Sequence, residues 1–441
     1  MRVTRLIAPW WGIAVALALI AAASLLPLLT GWEVRVDFPP LHANWDPRVG
    51  FGTIPAVVLA VLAIRFAIDL ARQLPWRVLL LVVVAASAAW MVSLALVDGV
   101  AGLGSVLDKS SEYLGTARTV TDVSAMLREY ISRIPLDSVD HWPIHLAGHP
   151  PGAVLFFVGL VQAGLGGATA AGLAVIALAA TTPAAVLITL RRLGAESHAR
   201  LAAPFLVFGS AAIWMAVSAD AMFGAVAAWA LCCLAISATS RRLVAVIGWS
   251  LASGVLFGAC VMLSYGLPLL GVLAVAILWT ARSWRPLPGA VAAAAAVVLG
   301  FASAGFAWWD AYPVLVARYY DGIAADRPYG YWVWADLAAL AISAGPIVGS
   351  GVAVAVSRIR RWGEAAAGDR IIVVLTIAAA LTIGLADISG MSKAEVERIW
   401  LPFVPWLLLG TALLPERWRR VGLAGQLGFA LIVQHLFDTN W

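Results

Sequence analysis

The sequence predicts an all-α protein that crosses a membrane many times. Three observations carry this. Apolar runs of about twenty residues, the length that spans a bilayer as a helix, recur from one end to the other. Charged residues are only 12% of 441 and hydrophobic ones 62%, with a mean hydropathy of +0.92, more apolar surface than a water-soluble chain of this length can bury. The arginines sort to alternate connections between the runs. In lipid each backbone polar group has to be paired within its segment, so such runs are helices; the weakly alternating ten-residue strands of a barrel are missing.

Taken in order, the sequence predicts thirteen spans, at about 8–30, 51–71, 77–97, 168–190, 201–218, 221–238, 243–263, 266–281, 287–307, 332–356, 370–387, 399–414 and 421–437. The first follows MRVTR and runs from about Leu6 to Leu29, too long for the apolar part of a signal peptide, so it reads as an uncleaved span. With the N-terminus inside, alternate connections carry Arg2/Arg5, Arg72/Arg77, Arg191/Arg192/Arg200, Arg241/Arg242, Arg282/Arg285, Arg358/Arg360/Arg361/Arg370 and Arg417/Arg419/Arg420. These are 18 of the 29 basic residues; ten fall on the other side over much longer loops, and Arg65 lies within a span. The expectation is a multi-pass plasma-membrane protein with a cytoplasmic N-terminus and an extracytoplasmic C-terminus. The run from Gly152 to Leu165, about 14 residues, would invert every later loop if it crossed, so it reads as an interfacial or re-entrant helix.

The acidic residues sort oppositely: 19 of 24 fall on the outer side, and the inner set is Asp69, Glu196, Glu364, Asp369 and Glu416. Four outer regions stand out: 32–50, 98–167, 308–331 and 387–398. Long loops on one side only, against short turns on the other, place a working surface there. The three cysteines, Cys232, Cys233 and Cys260, sit in apolar runs and read as core. The basic residues, despite a pI near 9.4, are spread over helix ends as topology requires, which excludes a nucleic-acid surface. No internal repeat or soluble domain is visible.

Within the outer loops, Asp98 closes the third span at the interface, where partial desolvation raises a carboxylate's basicity; it also fits a solvated helix end. Glu112 stands in SSEYLG, ahead of a segment with a helix start at Thr121 or Asp122 and apolar residues at helical spacing to Ile134, an amphipathic interfacial helix. His141, His145 and His149 recur every four residues, the spacing of a helical metal site, but Pro143, Pro150 and Pro151 oppose a regular helix. His149 before the two prolines reads instead as one imidazole on a fixed extended turn. Asp220 lies in a very short outer hairpin. Lys393, Glu395, Glu397 and Arg398 crowd the last outer loop; cations at a membrane edge suit a lipid phosphate, and also suit simple anchoring. The aromatics of Tyr319–Trp334 fit either an interface belt or a sugar-stacking wall.

In this order, these elements resemble the GT-C superfamily of membrane glycosyltransferases. The resemblance covers about 77–415, leaving 1–76 as two preceding helices with an outer loop and 416–441 as a final helix. It rests on the acid-ended span at Asp98, Glu112, the 121–134 helix, and His149-Pro150-Pro151 before a short apolar helix. It also rests on LITLRRLG (187–194), on SADAMF with Ser218 and Asp220, and on ERIWLPFVPWLL with Arg398, Pro402 and Pro405. The adjacent acidic pair of the protein O-mannosyltransferases is missing, Glu112 lies farther from His149 than is usual there, and the aromatic after Asp220 comes one place early. The Ala/Val/Trp/Arg-rich composition is similar to actinobacterial members that build arabinomannan and phosphoinositol mannosides; EYL, GHPPG and SKAEVERIWLPF are similar to the methylthioxylose transferase group.

The resemblance implies an inverting transfer of a sugar from a polyprenyl-phosphate carrier to a cell-envelope glycan or glycolipid on the outer face. Glu112 or Asp98 is then the base, and Arg398 with Lys393 binds the donor phosphate. Substrate contacts are expected from His149, Asp220, Tyr113, Tyr320 and Glu397. Many relatives with phosphomonoester-linked donors need no metal, so no cofactor is expected, with a divalent cation left open. The rival from another class is a transporter or flippase of a lipid-linked sugar, and a structural subunit is a third. Transporters place polar groups and broken helices at the midplane; here the polar residues gather at one face.

Overall fold

The computed structural model describes residues 4–439. Arg2, counted above on the inner side, lies outside them, as does the side chain of Arg5. The described chain is mostly helical, with almost no strand. Its long helices are α1 (Thr4–Thr30), α2 (Thr53–Gln73), α3 (Trp76–Asp98), the short α4 (Gly152–Gln162), α5 (Ala168–Arg192), α6 (Ala219–Thr239) and α7 (Leu243–Leu263). They continue as α8 (Leu287–Ser303), α9 (Trp308–Tyr320), α10 (Tyr329–Ser343), α11 (Ile347–Ile359), α12 (Ala367–Ile388) and α13 (Glu416–Leu436). Outward faces carry large apolar residues such as Leu28, Leu81 and Val244, exposed by 79, 71 and 83%. Such faces belong in a lipid bilayer, not in water.

The span count departs from thirteen. Among the described residues seven helices are long and apolar enough to cross a membrane: α1, α2, α3, α5, α6, α7 and α12; the number is nine if the bent pairs α8–α9 and α10–α11 each count as one. These pairs bend by 73° and 108°. Four expected spans take other shapes. The run 201–218 breaks after Glu196–Val207, which carries an internal proline, Pro204. The run 266–281 opens with a tight turn at Pro268, and 399–414 is cut by Pro402 and Pro405. The last, α13, is long enough, but Gln426 and Gln434 dilute its apolar character. The demoted run 152–165 is α4, an 11-residue helix, about 16 Å long and far short of a bilayer.

Two polar layers cap the helices. One holds Arg72–Glu416 at 3.0 Å, Arg420–Asp69 at 3.1 Å, Arg200–Glu196 at 2.8 Å and His198–Asp369 at 2.8 Å. Thus four of the five acids assigned by sequence to the arginine-rich side pair within that side. The other layer includes Asp98, bonded to Arg48 and, at 3.0 Å, to Gln434. The short strands Asn44–Trp45 and Phe437–Asp438 pair antiparallel there, so the described chain ends on the side of the first outer loop, one α1-length from where it begins. Helix α13 runs from Arg420 in the first layer to Gln434 in the second.

Small residues set the closest crossings. A Cβ on Gly12 of α1 would meet the Gly349 carbonyl oxygen of α11 at 2.1 Å, and one on Gly349 would meet that of Gly12 at 2.3 Å. This backbone-on-backbone contact is how helices approach in lipid, where packing rather than water exclusion drives association. The 98–112 segment docks the same way: a Cβ on Gly172 of α5 would meet the Leu103 carbonyl oxygen at 1.8 Å.

Candidate functional site

The segment 113–149 is fixed by buried aromatics. Asp122 caps Val123–Glu129 by accepting from the Ala125 N–H at 3.0 Å; the expected helix stops there and gives way to a tight turn at Ile131–Arg133. Tyr130, fully buried, donates its hydroxyl to the carbonyls of Leu146 at 2.9 Å and His149 at 3.1 Å. The Trp142 indole donates to the Tyr130 carbonyl at 2.9 Å. These bonds hold a single helical turn, Ile144–Ala147, begun after Pro143. The prolines do interrupt any regular helix, and the three histidines do not converge. His141 is exposed, His145 is buried, and His149 turns Nδ1 onto the His145 carbonyl at 2.8 Å. Among the described residues no group of three or more His, Cys, Asp or Glu is arranged to hold a metal.

His145 is the hub that sequence reasoning passed over in favour of His149. Its Nδ1 lies 2.7 Å from Glu112 Oε1 and its Nε2 3.1 Å from Arg398 Nη2. A guanidinium only donates, so Nε2 accepts and the neutral ring carries its proton on Nδ1, beside Glu112. Arg398 also donates from Nη1 to Asp220 Oδ2 at 2.7 Å and from Nη2 to Glu395 Oε2 at 2.8 Å. Glu112, His145, Asp220 and Arg398 are all at most 8% exposed. One connected array thus joins three distant parts of the chain.

Local structure explains each position. Ser218 caps α6 by accepting from the Ala221 N–H at 3.3 Å, which places Asp220 in the first turn, where the helix dipole favours a carboxylate. Arg398 rides on the single turn Val396–Ile399, entered through Ala394 and Glu395, both left-handed at φ of 67° and 62°. Two consecutive non-glycine residues there store strain; the Ala394 N–H donates to Asp336 Oδ1 at 3.2 Å and holds the turn in place. Lys393 donates its ammonium to the Arg327 carbonyl at 3.0 Å and lies 5.4 Å from the centre of the Tyr320 ring.

The electrostatics follow from burial and pairing. Burial alone would raise the Glu112 carboxyl, but the His145 hydrogen bond and the Arg398 charge bring it below its ordinary value. Glu395, half-buried, is drawn down to about 2 by Arg398 and its neighbours, against the effect of its burial. Burial works against the Arg398 charge, yet Asp220 and Glu395 outweigh it and raise its pKa. Glu397 is the opposite case: burial, then the nearby Glu395 charge, push it up to about 7. Its Oε1 accepts the His42 N–H at 3.3 Å, and its buried Oε2 has no partner among the described residues. Burial lowers His149 to about 4, so at neutral pH its ring is uncharged.

Of the residues singled out by sequence, Glu112, Asp220 and Arg398 meet directly. Tyr113 stacks on Phe157 at 5.5 Å, and His149 lies 6.0 Å from Tyr113 and 5.5 Å from Phe223. Lys393 and Glu397 flank Arg398 on the same loop, and Tyr320 is 45% exposed beside Lys393. Asp98 is bound into the separate Arg48–Gln434 contact. Beyond His145, the sequence reading named Glu395 without giving it a site role and did not single out Arg327, Asp336 or His42. Only Glu395 carried a signal, three residues before Arg398 in an acidic loop. No family model matches the chain, and no curated protein matches it either.

Proposed function

We propose that the protein is a membrane glycosyltransferase that moves a sugar, with inversion, from a polyprenyl-phosphate carrier to a cell-envelope glycan or glycolipid acceptor. The observation that carries this is the buried Glu112–His145–Arg398 array: an ionised carboxylate and a guanidinium bridged by one imidazole at the loop-bearing face. In the reaction, the acceptor hydroxyl oxygen forms a bond to the anomeric carbon as the bond from that carbon to the phosphate oxygen breaks. The electron pair leaves on the phosphate, and the hydroxyl proton passes to Glu112. His145 holds Glu112 in place through Nδ1. Arg398 steadies the departing phosphate, with Glu395, the more exposed of its two carboxylate partners at 23%, giving up its edge of the guanidinium. Asp98, bound to Arg48, is the weaker base candidate.

A transporter of a lipid-linked sugar draws support from one feature. The α10–α11 bend at Gly345 and the break near Ser210 meet at Gln426, since a Cβ on Gly345 would lie 3.1 Å from Ser210 Oγ and 3.2 Å from Gln426 Cγ. The groups there are neutral, and the paired charges lie in the two end layers rather than at mid-depth, which favours the enzyme.

The test supplies purified protein with labelled polyprenyl-phosphate pentoses and hexoses and with envelope glycan acceptors. Donor-dependent transfer that vanishes in Arg398→Gln supports the proposal. No donor consumption, with lipid flipping in proteoliposomes instead, supports the transporter.

A further inference from the structure

A second polar site lies at the far end of the bundle. Asp369 opens α12 and Asp387 nears its other end beside the 389–398 loop, so the two faces are about 27 Å apart along this helix. Around Asp369 is a cavity of about 1000 Å³ between α1, α11, the Glu196–Val207 helix and the start of α13. Its lining is apolar at Trp11, Leu201 and Val356 and carries Arg358, Arg360, Arg361 and Arg419. Four guanidiniums face two carboxylates, Asp369 and Glu364, and Asp369 already accepts from both His198 and Arg358. The cavity is therefore amphiphilic and net positive. Trp11 in its lining is 66% exposed, of the residue type that settles at headgroup depth.

We propose that this cavity binds an anionic phospholipid of the adjacent leaflet. The phosphodiester sits among Arg360, Arg361 and Arg419, and the upper acyl chain lies along Trp11, Leu201 and Val356. Charge complementarity selects the anion, and the apolar lining selects a lipid over a soluble phosphate. The proposal rests on the cavity and the membrane setting and is independent of glycosyl transfer.

Full-length protein in neutral detergent is incubated with phosphatidylglycerol, with phosphatidylcholine, or with phosphatidylglycerol plus millimolar inorganic phosphate. Bound lipid per chain is read by native mass spectrometry. Phosphatidylglycerol is retained roughly tenfold better than phosphatidylcholine, and inorganic phosphate does not displace it. Arg360→Gln with Arg361→Gln loses this preference. Ala353→Trp, which fills the cavity without touching the charges, loses retention altogether. Equal retention of the two lipids, displacement by inorganic phosphate, or wild-type binding by Ala353→Trp each overturns the proposal. If the arginine variant fails to fold, Ala353→Trp decides.

Discussion

Asp220 and Arg398, 178 positions apart, form a buried ion pair of 2.7 Å that ties the first turn of α6 to the last outer loop. Arg398 keeps Glu395 and His145 as partners if the aspartate is lost, but a buried guanidinium short of a carboxylate is costly, about 3–5 kcal/mol when such a pair is broken on one side. Asp220→Asn is therefore expected to lower the thermal midpoint markedly. Asp220→Asn combined with Arg398→Gln should lower it less than the two single effects sum to, because the second change removes the stranded charge. Thermal unfolding followed by tryptophan fluorescence in detergent checks both. Additive losses would mean the pair is not coupled.

Glu112 and Asp98 make different predictions although the sequence left them as competing bases. Glu112 is buried and reaches the Arg398 array through His145, whereas Asp98 is engaged by Arg48 and Gln434. In a transfer assay, Glu112→Gln should reduce kcat by about a hundredfold or more, the usual contribution of a general base. Asp98→Asn should stay within a few-fold of wild type. His145→Phe should lower kcat with little change in KM, and His145→Asn, whose amide can still donate to Glu112, should recover part of the loss. A dead Asp98→Asn beside an active Glu112→Gln would reverse the assignment.

The limits of the sequence have physical reasons. Hydropathy located α1, α2, α3, α5, α6, α7 and α12 because each is a continuous apolar run of spanning length, even where a proline falls inside it, as at Pro27 in α1 and Pro183 in α5. It failed at Pro402 and Pro405 and at the Gly345 bend, where composition stays apolar while backbone direction changes. Asp220 and Arg398 were legible as isolated charges at the ends of apolar runs. Their partnership was not, since nothing local to either residue specifies the other. His145 was masked by its neighbours: the four-residue spacing suggested a metal, and the prolines drew attention to His149. The Tyr130 and Trp142 hydrogen bonds, made across the loop, help to hold the turn that carries His145. Asp336 and Arg327 lie in an aromatic stretch that composition could not separate from an interface belt.

The α1–α11 contact predicts a packing effect remote from the site. Gly12 and Gly349 bring two backbones within what a single methyl group fills. Gly349→Val is expected to push α1 away, at a cost above the ~1–3 kcal/mol of ordinary overpacking, because the neighbour is backbone and cannot rotate aside. Tyr331 donates to the Ala23 carbonyl of α1 at 2.7 Å, so the displaced helix loses that bond as well. The measurement is the thermal midpoint together with protease sensitivity of the 31–52 loop. Gly349→Ala should give a smaller change in the same direction, and wild-type behaviour of both would contradict the close approach.

Glu397 makes stability depend on pH. Its carboxyl titrates near 7 in the fold against 4.5 in an ordinary setting, so the fold favours the protonated acid. Below pH 4.5 both folded and unfolded chains carry the proton, and no penalty arises. As pH rises from 4.5 to 7 the unfolded chain releases its proton first, and the folded state loses stability on the order of 3 kcal/mol, fully felt above pH 7. Glu395 changes in the other direction and in a lower window: its pKa near 2 gives a stability present above 4.5 and lost as pH falls toward 2. A comparison between pH 5 and pH 8 therefore separates Glu397 from Glu395. Wild-type protein should show a falling thermal midpoint over that interval relative to Glu397→Gln, which keeps an acceptor for the His42 N–H without a proton to lose. Parallel curves for the two proteins would show that the carboxyl is already ionised at pH 5.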